Sequence, residues 1–245
     1  MPHFFINSNS IQNKKVGIFD NETLHHLTRS LRVKPGQRLL FTDEQKITYE
    51  CIIESISKDS LYANIEKEYL NDKFLNFNLF LAQSPLRSDA QDLVIEKATE
   101  IGVAGVYPIL TDNCSVQKSV IEKKIPRWQK IMVESSKQCE RADVPECFEL
   151  TDIEELIKSK KYERIIAFCE RLTENNLKNY LANKPIKSDE NILVIIGPEG
   201  GFSQREIELF TKYEIPKISL GKLILRAETA VIVALGNMIY EFENN

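Results

Sequence analysis

Five short apolar runs, each leading into a segment with helical spacing, occupy the chain from about Leu79 to its end. This alternation restricts the possible folds more than any other feature. The runs are Leu79–Ala82, Val103–Leu110, Arg164–Phe168, Asn191–Ile196 and Lys217–Leu220. The expected helices are Ser88–Ile101, Ile125–Cys139, Glu174–Ala182, Ile207–Lys212 and Ala227–Phe242. Gly102 is the natural residue to close the first helix, and Pro126 suits the first turn of the second. Strands that alternate with helices imply a parallel sheet covered on its faces, an α/β fold.

The first seventy residues read differently. Leu24, Leu27 and Leu31 have helical spacing over Thr23–Leu31, with Asp20 or Asn21 as a cap. Val33-Lys34-Pro35-Gly36 is turn chemistry, and strand-like runs follow at Arg38–Thr42, Ile47–Ile56 and Ser60–Ile65. Within the second run Tyr49, Cys51 and Ile53 alternate with Glu50, Ile52 and Glu54, the pattern of a half-buried strand. A small β-barrel-like domain is expected over 1–70, a charged linker over Glu66–Asn76, and the α/β domain over 77–245.

The five cysteines have no zinc-type spacing, and the three histidines do not cluster, so neither a metal site nor a disulfide framework is expected. No apolar run is long enough to span a bilayer, and Met1–Ser10 does not have the pattern of a signal peptide; the expected location is cytoplasmic. A formal net charge of −4 argues against coating nucleic acid non-specifically. It leaves room for one local basic face. Thr23–Phe41 contains no acid but carries Arg29, Arg32, Lys34 and Arg38, with His25, Arg29 and Arg32 on one helical face. A solvated amphipathic helix and an RNA-contacting surface both fit that segment, and Arg87 and Arg141 could extend the second. Lys97 and Glu100, three apart on a helix, read as an ion pair.

Glycine is scarce, nine residues in all, yet Gly197, Gly200, Gly201 and Gly221 crowd into one region. In Ile196-Gly197-Pro198-Glu199-Gly200-Gly201-Phe202-Ser203 an apolar strand runs into a loop. A helix then starts at Ser203, with Glu206 completing a capping box. Ligands of open parallel sheets bind at such strand ends. On pattern alone the loop suits a bare strand–helix turn as well as a ligand site. Phosphate binding fits less well, because the only charge in the loop is Glu199 and no P-loop or dinucleotide fingerprint is present. In Leu220–Ala230 the polar residues Arg226, Glu228 and Thr229 interrupt apolar surroundings, which suits either a functional group or a buried Arg226–Glu228 or Arg226–Glu199 ion pair.

These two segments resemble the ribosomal small-subunit RNA methyltransferase E family of the SPOUT superfamily. So do His26-Leu27…Leu31-Arg32-Val33…Gly36, Glu96–Val103, and Gln138-Cys139…Arg141…Val144-Pro145. The resemblance implies an N-terminal PUA-like β-barrel and a C-terminal SPOUT-type α/β methyltransferase domain with a trefoil knot. It further implies a homodimer that uses S-adenosylmethionine, without a metal, to methylate N3 of one uridine in 16S ribosomal RNA. A methyltransferase for another RNA position, or a non-catalytic RNA-binding protein with the same fold, is the alternative. Carried onto this chain, the donor would be held by Ile196, Gly197, Pro198, Glu199, Gly200, Gly201, Leu220, Gly221, Ile224, Leu225, Arg226, Thr229 and Ala230. Arg226 and Glu199 are the candidate catalytic groups. The chain departs from the family at Asn113 and His3, where arginines are usual, and at Ala90 and Lys137.

Overall fold

The computed structural model describes all residues except 88, 171–175 and 244–245. The expected helix starts at Ser88 and Glu174 lie outside the described residues. The chain forms two compact units: Met1–Phe74 with Ser136–Asp143, and Leu75–Ser135 with Val144–Asn245. The expected division at the linker left Ser136–Asp143 in the second domain, whereas that segment gathers with the first unit.

The first unit is a six-stranded sheet in the order β1 (His3–Phe5), β4 (Arg38–Thr42), β5 (Ile47–Ile56), β6 (Leu61–Leu70), β3 (Lys15–Ile18) and β2 (Ile11–Gln12). β1 and β4 are parallel and the other pairs antiparallel. β4 and β5 have the expected limits. β6 continues five residues past Ile65, so half of the expected linker is strand: Glu66–Leu70 keeps its ladder to β5 while its side chains face solvent. Strands β1 to β3 were not legible because each is only two to four residues long. Leu27, Leu39, Phe41, Ile53 and Leu61 are fully buried between sheet and helix. That helix is α1 (Asn21–His25), capped by Asp20, running into a π-turn over His26–Ser30. It therefore ends before Leu31, which is exposed, and Arg32 takes φ +51° rather than continuing the expected basic face.

The second unit is wholly parallel. Its strand order is β10 (Thr151–Asp152), β8 (Gly105–Leu110), β7 (Asn78–Gln83), β12 (Asn191–Ile196), β11 (Arg164–Phe168) and β13 (Lys217–Ile218), with β9 (Glu146–Cys147) also on β8. β12 is central, and Ile192–Ile196 are all buried, which is why it reads as an unbroken apolar run. One face of the sheet is covered by α2 (Asp89–Ile101), α3 (Lys118–Gln138), α5 (Leu177–Asn183) and α7 (Ala227–Glu243), through Ile95, Trp128, Met132 and Val231 among others. The opposite face carries α4 (Ile153–Lys158) and α6 (Gln204–Lys212) through Leu156 and Phe210. Gly102 closes α2 with φ +109° and an N–H to the Ala98 carbonyl. Lys97 bonds Glu100 as expected, at 2.9 Å.

α3 begins seven residues earlier than expected, so Pro126 sits inside it rather than in its first turn. The extra turns are rich in lysine and bury only Ile121, too few apolar positions to show a period. α4 was missed for a similar reason: six residues form it, with Asp152 capping Glu154 N–H.

Candidate active site

Three neighbouring strands, β12, β11 and β13, end at one edge of the sheet, and the turns that follow them enclose a cavity of 910 Å³. That volume suits a ligand of cofactor size.

The first wall is the turn after β12. Ile196, Gly197 and Pro198 are buried, and the Gly201 N–H closes the turn on the Pro198 carbonyl at 2.9 Å. Gly201 has φ +70°, a conformation that side-chain-bearing residues rarely adopt. The expected capping box is present: Ser203 Oγ accepts from Glu206 N–H, and Glu206 Oε2 accepts from Ser203 N–H. Glu206 is buried because its second oxygen accepts from Asp112 N–H at 3.0 Å, tying the turn to the end of β8. Asn113 makes the same tie directly, donating from Nδ2 to the Gly201 carbonyl at 3.0 Å. A Cβ on Gly200 would stand 3.1 Å from that of Asn113, so the two segments are in close contact. Asn113, a departure from the family pattern, thus has a local task as a brace. If the cavity holds the S-adenosylmethionine that the resemblance implies, Asn113→Ala is expected to raise its dissociation constant about 3- to 10-fold, the loss of one hydrogen bond, with little change in melting temperature, as calorimetry and thermal denaturation would show.

Asp112 completes the brace. Its carboxylate accepts from Ser203 Oγ at 2.5 Å and from Arg205 at 2.6 and 2.9 Å. The Arg205 guanidinium and then the Ser203 hydroxyl hold its carboxyl down to about 2. A carboxyl whose pKa is depressed by folding stabilises the native state above its unfolded value, about 3.9, and loses that contribution as pH falls towards 2. Melting temperatures of the wild-type protein and Asp112→Asn are therefore expected to differ above pH 4 and converge by pH 2. The pair is solvent-exposed, so the difference should be only about 1–3 °C.

The second wall follows β13. Gly221 takes φ +136°, and Ser219 Oγ donates to its carbonyl at 2.9 Å. Leu223 and Ile224, 81% and 59% exposed, project from this turn, and α7 then begins at Ala227. The third wall is the end of β11, with Phe168 and Cys169 buried and Glu170 exposed.

Of the expected donor-binding residues, Ile196–Gly201, Leu220, Gly221, Ile224–Arg226 and Ala230 all line the cavity. Thr229 is the exception: it is exposed on α7 and takes no part in the lining, since it lies one residue, or about 100° of helix, from Ala230. The ion pair that Arg226 could have formed is absent among the described residues, and Arg226 and Glu199 are both exposed at the cavity. Phe168, Cys169 and Glu170 were missed. Their strand was legible, but its place beside β12 depends on sheet order.

The charged residues proposed to contact RNA are distributed less evenly. Arg29, Arg32, Lys34 and Arg38 are all exposed on the first unit, Arg38 beside Glu66 at 3.1 Å. Arg87 is exposed and bonds Ser115 Oγ. Arg141 is placed differently: it is 7% exposed, and its Nε and one terminal nitrogen both donate to Asp143 Oδ1, at 3.3 and 2.9 Å. His3 is likewise buried, its Nε2 2.8 Å from Thr42 Oγ1, and burial lowers its pKa.

Among the described residues no helix is long and apolar enough to cross a membrane, and no three histidine, cysteine or acidic side chains gather as metal ligands. The positive-φ turns, the exposed carboxylates and the apolar walls suit a nucleoside-bearing cation, whose base requires burial and whose polar groups can be met by bare backbone.

Comparison with known proteins gives the same direction. Residues 73–239 match the model of an RNA methyltransferase domain, and 19–66 that of an RNA methyltransferase PUA domain. Ribosomal RNA small subunit methyltransferase E of Mesomycoplasma hyopneumoniae is 30% identical over 98% of this chain and 99% of its own length. The protein of the same name from Rickettsia conorii is 30% identical over 96% and 93%. Among solved structures, the Neisseria gonorrhoeae enzyme of that name, bound to S-adenosyl methionine, superposes with a TM-score of 0.84 at 25% identity, covering 98% of this chain and 97% of the other.

Proposed function

This chain belongs to the ribosomal RNA small subunit methyltransferase E family, and on that premise we propose that it methylates N3 of one uridine in 16S ribosomal RNA. The observation that carries the proposal is the cavity formed by two positive-φ glycine turns, with the exposed Arg226, which pairs with no acid among the described residues, in its lining. S-adenosylmethionine, bound there, supplies the methyl group.

The chain's own residues supply the rest. The backbones of Gly197–Gly201 and Leu220–Gly221 hold the donor, because glycine leaves their peptide groups open to close approach. Apolar side chains from β11 and β13 exclude water from its base. Much of the rate comes from holding the uracil N3 in line with the transferred carbon. As the N3 proton passes to solvent water, negative charge spreads onto the two uracil carbonyl oxygens. Arg226 donates to them, as an oxyanion donor does. Glu199, which lines the same cavity, orients the base or, once RNA is bound, Arg226.

The first unit serves as a PUA-like RNA-binding module and the second as the transfer domain; the two register shifts in the β5–β6 pair favour the curvature that a small barrel needs. The strand order of the second unit, with α7 returning onto α2 and β12, is consistent with a trefoil knot. Exposed Leu223 and Ile224 on the cavity turn favour a homodimer that covers them.

The deciding experiment is methylation of small subunits purified from cells that lack this protein, followed by mapping of the modified nucleoside by mass spectrometry. A single N3-methyluridine in 16S RNA is expected; a methyl group at another position or none would reject the assignment. Charge reversal at Arg29 and Arg32 is expected to weaken RNA binding across sequences and to flatten its salt dependence by about two phosphate contacts. Unchanged salt dependence would remove these residues from the RNA surface.

A further inference from the structure

Strand β11 stands between the two turns that line the cavity, and its end carries a carboxylate that the transfer described above does not use. Phe168 pairs with Ile196 on one side and with Ile218 on the other. Cys169 N–H donates to the Ile218 carbonyl at 2.9 Å, so the ladder persists to the residue before Glu170. Phe168 and Cys169 are buried, whereas Glu170 is exposed and lines the cavity. Its Oε1 lies 4.0 Å from the position a Cβ on Gly201 would take, so the carboxylate faces the bare side of the first glycine turn.

An ionised carboxylate offers only acceptors, so on a bound adenosyl-amino-acid ligand the groups it can meet are the ribose hydroxyls and the ammonium. In open α/β sheets that hold nucleosides at their strand ends, an acid near the glycine turn meets the ribose hydroxyls. Position favours the same outcome here. Glu170 is two residues from Phe168, which with Ile218 forms the apolar wall suited to a base, and the sugar is the group attached to that base.

We propose that Glu170 is a donor-binding residue whose carboxylate accepts hydrogen bonds from the ribose 2′- and 3′-hydroxyls of the adenosyl group. The proposal rests on the cavity being the methyl-donor pocket, and it explains how the pocket selects a ribonucleoside.

Isothermal titration calorimetry on wild type, Glu170→Ala and Glu170→Gln tests it with three ligands: S-adenosylmethionine, S-adenosylhomocysteine and 5′-methylthioadenosine. The last has the ribose but neither ammonium nor sulfonium. Loss of a charge-assisted bond should weaken all three by a common factor, about 5- to 20-fold for Glu170→Ala. The 2′- and 3′-deoxy forms of methylthioadenosine should bind wild type and variant nearly alike. If methylthioadenosine is unaffected while the two amino-acid-bearing ligands weaken, Glu170 meets the ammonium and the proposal is overturned. Equal binding of every ligand to all three proteins overturns it too, with the donor pocket itself intact. If wild type binds none of the ligands, the donor-pocket reading falls with it. Glu170 is exposed, so the variants should retain the wild-type melting temperature, and the near-isosteric Glu170→Gln keeps the test valid should the alanine variant misfold.

Discussion

Arg226→Ala is expected to lower the single-turnover rate of RNA methylation about 100- to 1000-fold, the usual cost of removing one donor to a developing oxyanion. Donor affinity and melting temperature should change little. The structure makes this separation clean: Arg226 is exposed and, among the described residues, has no ion-pair or hydrogen-bonding partner for its side chain. Its removal leaves no buried charge uncompensated, and surface substitutions of that kind shift stability by about 0.5 kcal/mol or less. Arg226→Lys keeps the charge but lacks the planar fork, and should recover only part of the rate. Equal rates for wild type and Arg226→Ala would show that the guanidinium performs no chemistry.

The largest expected loss of stability lies elsewhere, at a pair of charges buried in the second unit. Arg164 and Glu190 have side chains 9% and 8% exposed, and their closest contact is 2.7 Å. Arg164 also donates to the Pro185 carbonyl at 3.0 Å, and Glu190 accepts from Lys187 N–H at 2.8 Å. Together they fasten the segment before β12 to the start of β11, the two strands whose far ends form the cavity. Glu190→Ala strands a buried guanidinium and is expected to cost about 3–5 kcal/mol, read from denaturant unfolding. Replacing both partners by apolar residues of similar volume should restore much of that loss, since a buried ion pair is worth little beyond its own desolvation. A single variant as stable as wild type would show that water reaches Arg164.

The two turns of the cavity are legible in the sequence, and the reason is local. Scarce glycines bunch at Gly197–Gly201 and Gly221, Ser203 and Glu206 mark a helix start, and the run Asn191–Ile196 ends at the first of those glycines. Each of these signals is complete within a few residues. Arg141 shows the opposite case: it shares a motif with Cys139 and Val144, but its burial against Asp143 depends on the turn folding back onto the first unit.

By itself the sequence determined the parallel α/β character of the second unit, the limits of β4, β5, β11 and β12, and the two glycine turns, because period and turn chemistry act within one element. The tertiary structure alone decided that β11 inserts between β12 and β13, bringing Phe168 and Glu170 to the cavity. It also decided that Asn113 braces the glycine turn and that Arg226 is exposed at the cavity with no acid paired to it among the described residues. Those facts depend on strand order and on burial, which are set by contacts between residues tens of positions apart and leave no periodic mark on the chain.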